Sequence, residues 1–205
     1  MISAYDSILF DFDGVLADTE PIHWSCWVDT LAPLSIALSW ETYRANCIGV
    51  ADQNMLVFLA PLAAPPVELE SLRPRYATKK ELFRRRIGEA NPCSDETVDL
   101  IRSLSDYRLA VVTSSGRLEV EPVLDRAGIR PHLGALVFGE DVQRHKPAPD
   151  PYLLAAARLG AVRPLVVEDS TAGVASARAA GFDVLQVGSP AEVASVVRSR
   201  LKGHA

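Results

Sequence analysis

Cysteine is scarce in this chain of 205 residues: Cys26, Cys47 and Cys93 are an odd number, lie far apart and form no CxxC pair. That excludes a disulfide framework and a zinc site, and it suits a reducing compartment. No run of about 18 apolar residues occurs, so nothing is expected to span a membrane. The opening MISAYD has neither the basic nor the apolar stretch of a secretory leader, and a cytoplasmic protein is the expectation. Basic residues are too few for a general nucleic-acid binder: 21 Lys and Arg against 26 Asp and Glu give a net charge of -5, whereas phosphate-tracking proteins need a basic surface. One or two local cations holding a small phosphorylated molecule remain compatible with that balance. Aromatic residues reach only 7%. Internal repeats and low-complexity tails are absent too.

Hydrophobic residues, at 48%, suffice for a real core, and the length fits one domain or a core with an insertion. Five short runs read as strands: Ser7–Phe12, Leu109–Thr113, Ala135–Phe138, Leu165–Val167 and Asp183–Val187. Each is largely continuous in apolar character rather than alternating, the pattern of parallel strands covered on both faces. Helices are expected over Leu118–Ala127, Pro151–Leu159 and Thr171–Ala180, followed by Gly128, Gly160 and Gly181 where a helix ends. Strand–helix units of this length imply right-handed crossovers and an α/β, doubly wound, Rossmann-like parallel sheet. The interval from the first strand to the second is far too long for one crossover. Three amphipathic stretches, HWSCWVDTLA, ADQNMLVFLA and KKELFRRRIG, lie in it, punctuated by Pro61, Pro65, Pro66 and Pro74. Residues 20–90 are therefore expected to form an inserted helical subdomain, with 1–19 and 91–205 as the core.

Ligands of open α/β sheets bind beyond the carboxyl ends of the strands, and the residues there are unusual. The first strand ends in Asp11, Asp13 and Gly14, the second in Thr113, Ser114 and Ser115, and the fourth in Glu168 and Asp169; RHKPAPDP, with Lys146, follows the third. Singly, each has an ordinary reading: Asp11 as a turn or helix cap, Thr113 and Ser114 as the start of a turn, Lys146 as a surface lysine. Together they place four acids at one edge of a sheet. Adjacent carboxylates repel unless a cation or donors compensate, and a hard divalent ion with oxygen ligands, most simply Mg²⁺, relieves them. Asp11, Asp13, Glu168 and Asp169 are the expected metal-site residues. The ion and Lys146 would neutralise a phosphoryl group, while Thr113, Ser114 and nearby amides would bond its oxygens. Asp11 is then the candidate nucleophile and Asp13 the candidate acid and base.

The series DFDGVLADTE, VVTSS, HKPAPDPY and VVEDSTAGVASARAAG resembles the haloacid dehalogenase superfamily, over most of the core. The resemblance implies a Rossmann-like core with a helical cap inserted after the first motif, Asp11 as nucleophile, and Asp13 as acid/base whose backbone carbonyl also meets the metal. It further implies Thr113 and Lys146 as phosphate ligands, Asp169 as a direct metal ligand, and Glu168 as a ligand either directly or through water. Asp13 sets the chain apart from the dehalogenases themselves. KPAPDPY and EDSTAG resemble the branch of β-phosphoglucomutase and small sugar-phosphate phosphatases, in which His23 is at the cap hinge. His23 reads as a substrate contact or a hinge-packing residue, and Lys79 as a substrate contact or part of a solvated helix face with Arg84–Arg86. The mutase pattern also wants an arginine where this chain has Asp52, and two phosphates need two cationic sites. The expectation is thus a Mg²⁺-dependent phosphatase of a small phosphate monoester, a sugar phosphate in the first place, with no nucleic-acid or membrane partner; a monomer is favoured and the oligomeric state is left open. Its rivals are a phosphomutase and a phospho-accepting receiver domain; receivers lack the DxD on strand one and the large insertion.

Overall fold

The computed structural model describes residues 4–48 and 52–203, without the side chains of 52–54. In chain order the strands and α-helices are β1 (Ser7–Phe10), α1 (Glu20–Leu31), α2 (Trp40–Asn46), α3 (Asp52–Leu59), α4 (Leu69–Glu89), α5 (Asp95–Ser103), β2 (Arg108–Val112), α6 (Arg117–Arg126), β3 (Ala135–Val137), α7 (Asp150–Leu159), β4 (Pro164–Glu168), α8 (Thr171–Ala179), β5 (Asp183–Gln186) and α9 (Pro190–Lys202). Two compact units result: residues up to Asp18 together with those from Asn91 onward, and Thr19–Ala90.

The first unit is built on a five-stranded sheet of order β3-β2-β1-β4-β5, with every pair parallel. Ile8, Leu9 and Phe10 have no exposed surface, because helices cover both faces of the strand they form. Tyr152 and Ala155 of α7 and Ala177 of α8 join Leu9, Val112 and Val166 in one apolar cluster. Gly160 ends α7 with a φ of 61°, a conformation that costs a glycine little. The chain runs from β1 outward through β2 and β3, then returns to the other side of β1 for β4 and β5. The reversal point of such a sheet lies between β1 and β4, where a crevice opens beyond the strand ends.

The sequence reading singles out neither α5 nor α9. Ser94 marks the start of α5, since its hydroxyl accepts from the backbone N–H of Thr97 at 3.1 Å, a cap that a serine before spaced apolar residues announces.

The second unit is helical. Trp27 and Leu31 of α1, Leu59 of α3 and Leu72 of α4 are fully buried in its core. Pro74 does not interrupt α4 but lies inside it. The buried Leu72, Lys79, Phe83 and Ile87 keep one face of the helix packed past the proline, so tertiary burial outweighs the lost backbone hydrogen bond. No described helix is long and apolar enough to cross a membrane.

Candidate active site

β1 and β4 are neighbours with Phe10 beside Val167, and the Asp11 N–H extends the ladder by donating to the Val167 carbonyl at 3.0 Å. That register brings Asp11 next to Glu168. One oxygen each of Asp11, Glu168 and Asp169 lie within 4.8 Å of one another. Lys146 enters the same space from the loop after β3. Its Nζ donates to Asp11 Oδ1 at 2.8 Å, Glu168 Oε1 at 2.7 Å and the Val112 carbonyl at 3.0 Å, so all three ammonium protons are directed. The Lys146 side chain is only 6% exposed and that of Glu168 not at all.

Glu168 accepts from five donors. Oε1 takes Lys146 and the Tyr152 hydroxyl; Oε2 takes the N–H groups of Asp169 and Ser170 and the Ser170 hydroxyl, each at 3.0 Å. This carboxylate sits against the backbone of Gly173 in the first turn of α8; a Cβ there would lie 1.6 Å from Oε1. Asp169 packs in the same way on Gly14, whose φ is 75° and whose missing Cβ would fall 2.1 Å from Asp169 Oδ2. Glycine is needed at position 14 for the left-handed turn and for this approach.

The Asp13 carboxylate bonds to the turn after β2. Its Oδ2 accepts from the Ser115 hydroxyl at 2.6 Å and from the Thr113 hydroxyl at 3.3 Å. The Ser115 N–H in turn donates to Thr113 Oγ1 at 2.9 Å. The Asp13 carboxylate is therefore not in the three-acid group. Ser114, a phosphate-binding candidate from its sequence position, is exposed; the adjacent Ser115 is the hydroxyl that meets Asp13.

Ionised together, the three carboxylates of this largely buried space would exceed the Lys146 ammonium by two charges, before Asp13 is counted. Burial pushes the Asp11 carboxyl well above its usual range; Lys146 opposes this, while Glu168 and Asp13 add to the rise. Asp169 is pushed up to about 6, by burial first and by Glu168 second. Burial works against charge on Glu168 as well, but Lys146 and the hydrogen bonds outweigh it and hold its pKa down. Burial likewise disfavours the Lys146 ammonium, and the carboxylates of Asp11 and Glu168 reverse that, leaving its pKa raised. An all-oxygen donor set with two unbalanced negative charges fits a hard divalent cation such as Mg²⁺. Bound, the ion would favour the ionised forms of Asp11 and Asp169.

His23 and Lys79 meet in the helical unit. Lys79 Nζ lies 2.7 Å from His23 Nδ1, and the His23 ring stacks on Phe83 with centroids 3.9 Å apart. Lys79 is 1% exposed, so the solvated-face reading fails: residue 79 points into the stripe that α4 buries. Arg84 and Arg85 are exposed, and Arg86 pairs with Asp29. Asp52 opens α3, but its side chain lies outside the described residues.

Burial, and next the Lys79 charge, push the His23 pKa well below its ordinary 6.5. The unfolded chain thus binds a proton that folded His23 refuses, and stability is lost as pH falls below about 6.5. His23→Gln removes this part of the dependence. In urea denaturation from pH 8 to pH 5, the stability of the variant relative to the parent should rise as pH falls; a constant difference contradicts the assignment.

The family model for haloacid dehalogenase-like hydrolases matches residues 8–187. The chain is 31% identical over 199 residues to fructose-1-phosphate phosphatase YqaB of Escherichia coli, covering 91% of this chain and 98% of that protein. It is 30% identical over 181 residues to a phosphorylated carbohydrates phosphatase of Thermotoga maritima, covering 87% and 82% respectively. Among solved structures, CbbY from Rhodobacter sphaeroides in complex with phosphate superposes with a TM-score of 0.69 at 28% identity, covering 89% of this chain and 87% of that one.

Proposed function

Because the chain belongs to the haloacid dehalogenase-like hydrolases, we propose that it is a Mg²⁺-dependent phosphatase of small sugar phosphates, working through an aspartyl-phosphate on Asp11. The observation that carries this reading is the gathering of Asp11, Glu168 and Asp169 around Lys146 at the reversal point of the sheet. The similarity to two phosphatases of phosphorylated carbohydrates supports the substrate class.

Asp11 and Asp169, with the backbone carbonyl of Asp13, would hold Mg²⁺, which would supply positive charge against the phosphoryl oxygens; Glu168 lies beside them, bonded to Lys146. Lys146 adds a second positive charge, and Thr113 with the amides after it binds the remaining oxygens. An Asp11 oxygen attacks phosphorus in line, and the bond from phosphorus to the sugar oxygen breaks. Asp13 gives its proton to that leaving oxygen. Asp13, now ionised, takes a proton from water as the water oxygen attacks phosphorus, which releases inorganic phosphate and restores Asp11. The Ser115 hydroxyl suits this double role, because it fixes the Asp13 carboxyl while leaving the Thr113 hydroxyl for the phosphate. We assign the chemistry to the sheet-bearing unit and the choice of substrate to Thr19–Ala90.

A panel of phosphate monoesters, assayed for phosphate release with Mg²⁺ and with EDTA, tests the proposal. Release is expected from sugar phosphates, and only with Mg²⁺. Release that survives EDTA, or none from any substrate, contradicts it.

A further inference from the structure

Tyr152 is fully buried on α7. Its hydroxyl donates to Glu168 Oε1 at 2.8 Å, the same oxygen that accepts Lys146 Nζ. The Lys146 ammonium also stands 5.0 Å from the centroid of the Tyr152 ring. One side chain thus touches both the buried cation and its counter-ion. At 2.8 Å from a carboxylate oxygen the phenol hydroxyl is the donor.

Each carboxylate oxygen offers about two lone-pair positions: Lys146 and Tyr152 fill those of Glu168 Oε1, and three donors crowd Oε2. Its oxygens are therefore committed to Lys146, Tyr152 and the start of α8. Yet Glu168 is close enough to Asp11 and Asp169 to join a cation there should a donor be withdrawn. Lys146 would then lose one of its three acceptors and no longer be held in register with Asp11. A second tie steadies the loop that carries Lys146: the buried Ser176 hydroxyl of α8 donates to the Ala148 carbonyl at 2.5 Å.

Resting on the Mg²⁺-dependent reading above, we propose that Tyr152 is a positioning residue whose hydroxyl completes the donor shell of Glu168. It keeps that carboxylate as the anchor of Lys146 and away from the ion.

Tyr152→Phe deletes the hydroxyl and keeps the ring. Titration calorimetry of the substrate-free protein with Mg²⁺ should find the variant binding the ion about threefold to tenfold more tightly, as Glu168 Oε1 turns to it. The inhibition constant of inorganic phosphate, measured in the assay, should rise about tenfold, the scale of one hydrogen bond to a charged group. A merely structural tyrosine would lower the melting temperature and move neither constant. Either constant within twofold of the parent's, or Mg²⁺ binding weakened, overturns the proposal. A parent that binds no Mg²⁺ overturns the phosphatase reading as well, so the two failures are distinguishable.

Discussion

Asp11→Asn is expected to abolish turnover, lowering kcat on the order of 10⁴-fold or more, while leaving the fold intact. Loss of a nucleophile removes the covalent route itself, and losses of that size are typical. Asparagine keeps the shape and one oxygen, so Lys146 still finds an acceptor where it now bonds Asp11 Oδ1. The substitution also deletes one of three mutually repelling carboxylates in a site where burial already disfavours charge on Asp11. The metal-free variant should therefore melt no lower than the parent, and its affinity for Mg²⁺ should fall because an anionic ligand is gone. Steady-state kinetics and thermal denaturation check both halves. Activity within tenfold of the parent's removes Asp11 from the chemistry. A loss of activity accompanied by unfolding would make it a structural residue instead.

Gly173→Ala should destabilise the protein and inactivate it, against the usual rule for helices. Replacing glycine by alanine inside a helix ordinarily stabilises by about 0.5–1 kcal/mol. At Gly173 the new Cβ would fall 1.6 Å from Glu168 Oε1 and 1.9 Å from its Cδ. The carboxylate cannot retreat without breaking bonds to Lys146, Tyr152 or Ser170. Overpacking together with a disrupted buried charge should cost roughly 2–4 kcal/mol, or about 5–15 °C in melting temperature for a chain of this size. With Lys146 displaced, kcat/KM should drop at least about a hundredfold. Gly88→Ala is the control: Gly88 is also helical, and a Cβ there meets nothing within 4 Å. It should leave activity unchanged and raise stability by a few tenths to about 1 kcal/mol. Equal effects at the two glycines would refute the close approach of Glu168 to α8.

The inner strands were legible in the sequence for a physical reason, whereas β5, expected to be covered on both faces, lies at the sheet edge with Asp183 and Gln186 exposed. A strand buried on both faces must be apolar throughout, so SILF and PLVV stand out, and the acids that end them are conspicuous. The same contrast located Asp11, Glu168 and Asp169. Lys146 was legible only through its company, a lysine before KPAPDP's prolines and among acids; its bond to Asp11 spans 135 positions. Ser115 and Tyr152 were not legible. What distinguishes Ser115 from Ser114 is which hydroxyl the turn after β2 aims at Asp13, 102 positions away, and neither composition nor periodicity encodes that. Tyr152 reads as one more residue of the helix expected over Pro151–Leu159 until its hydroxyl is found on Glu168. Lys79 shows the same limit from the other side. A lysine beside KELFRRR looks solvated, and its burial follows from the phase of α4 against α1, set by packing around Trp27 and Phe83.

The most direct test of the account is a crystal structure of the protein grown with Mg²⁺ and beryllium trifluoride, which binds carboxylates as a mimic of an acyl phosphate. The account predicts beryllium bonded to a carboxylate oxygen of Asp11, with Lys146 and Thr113 on the fluorines and Asp13 beside the open position. Beryllium on Asp13, or on no protein carboxylate, would contradict it.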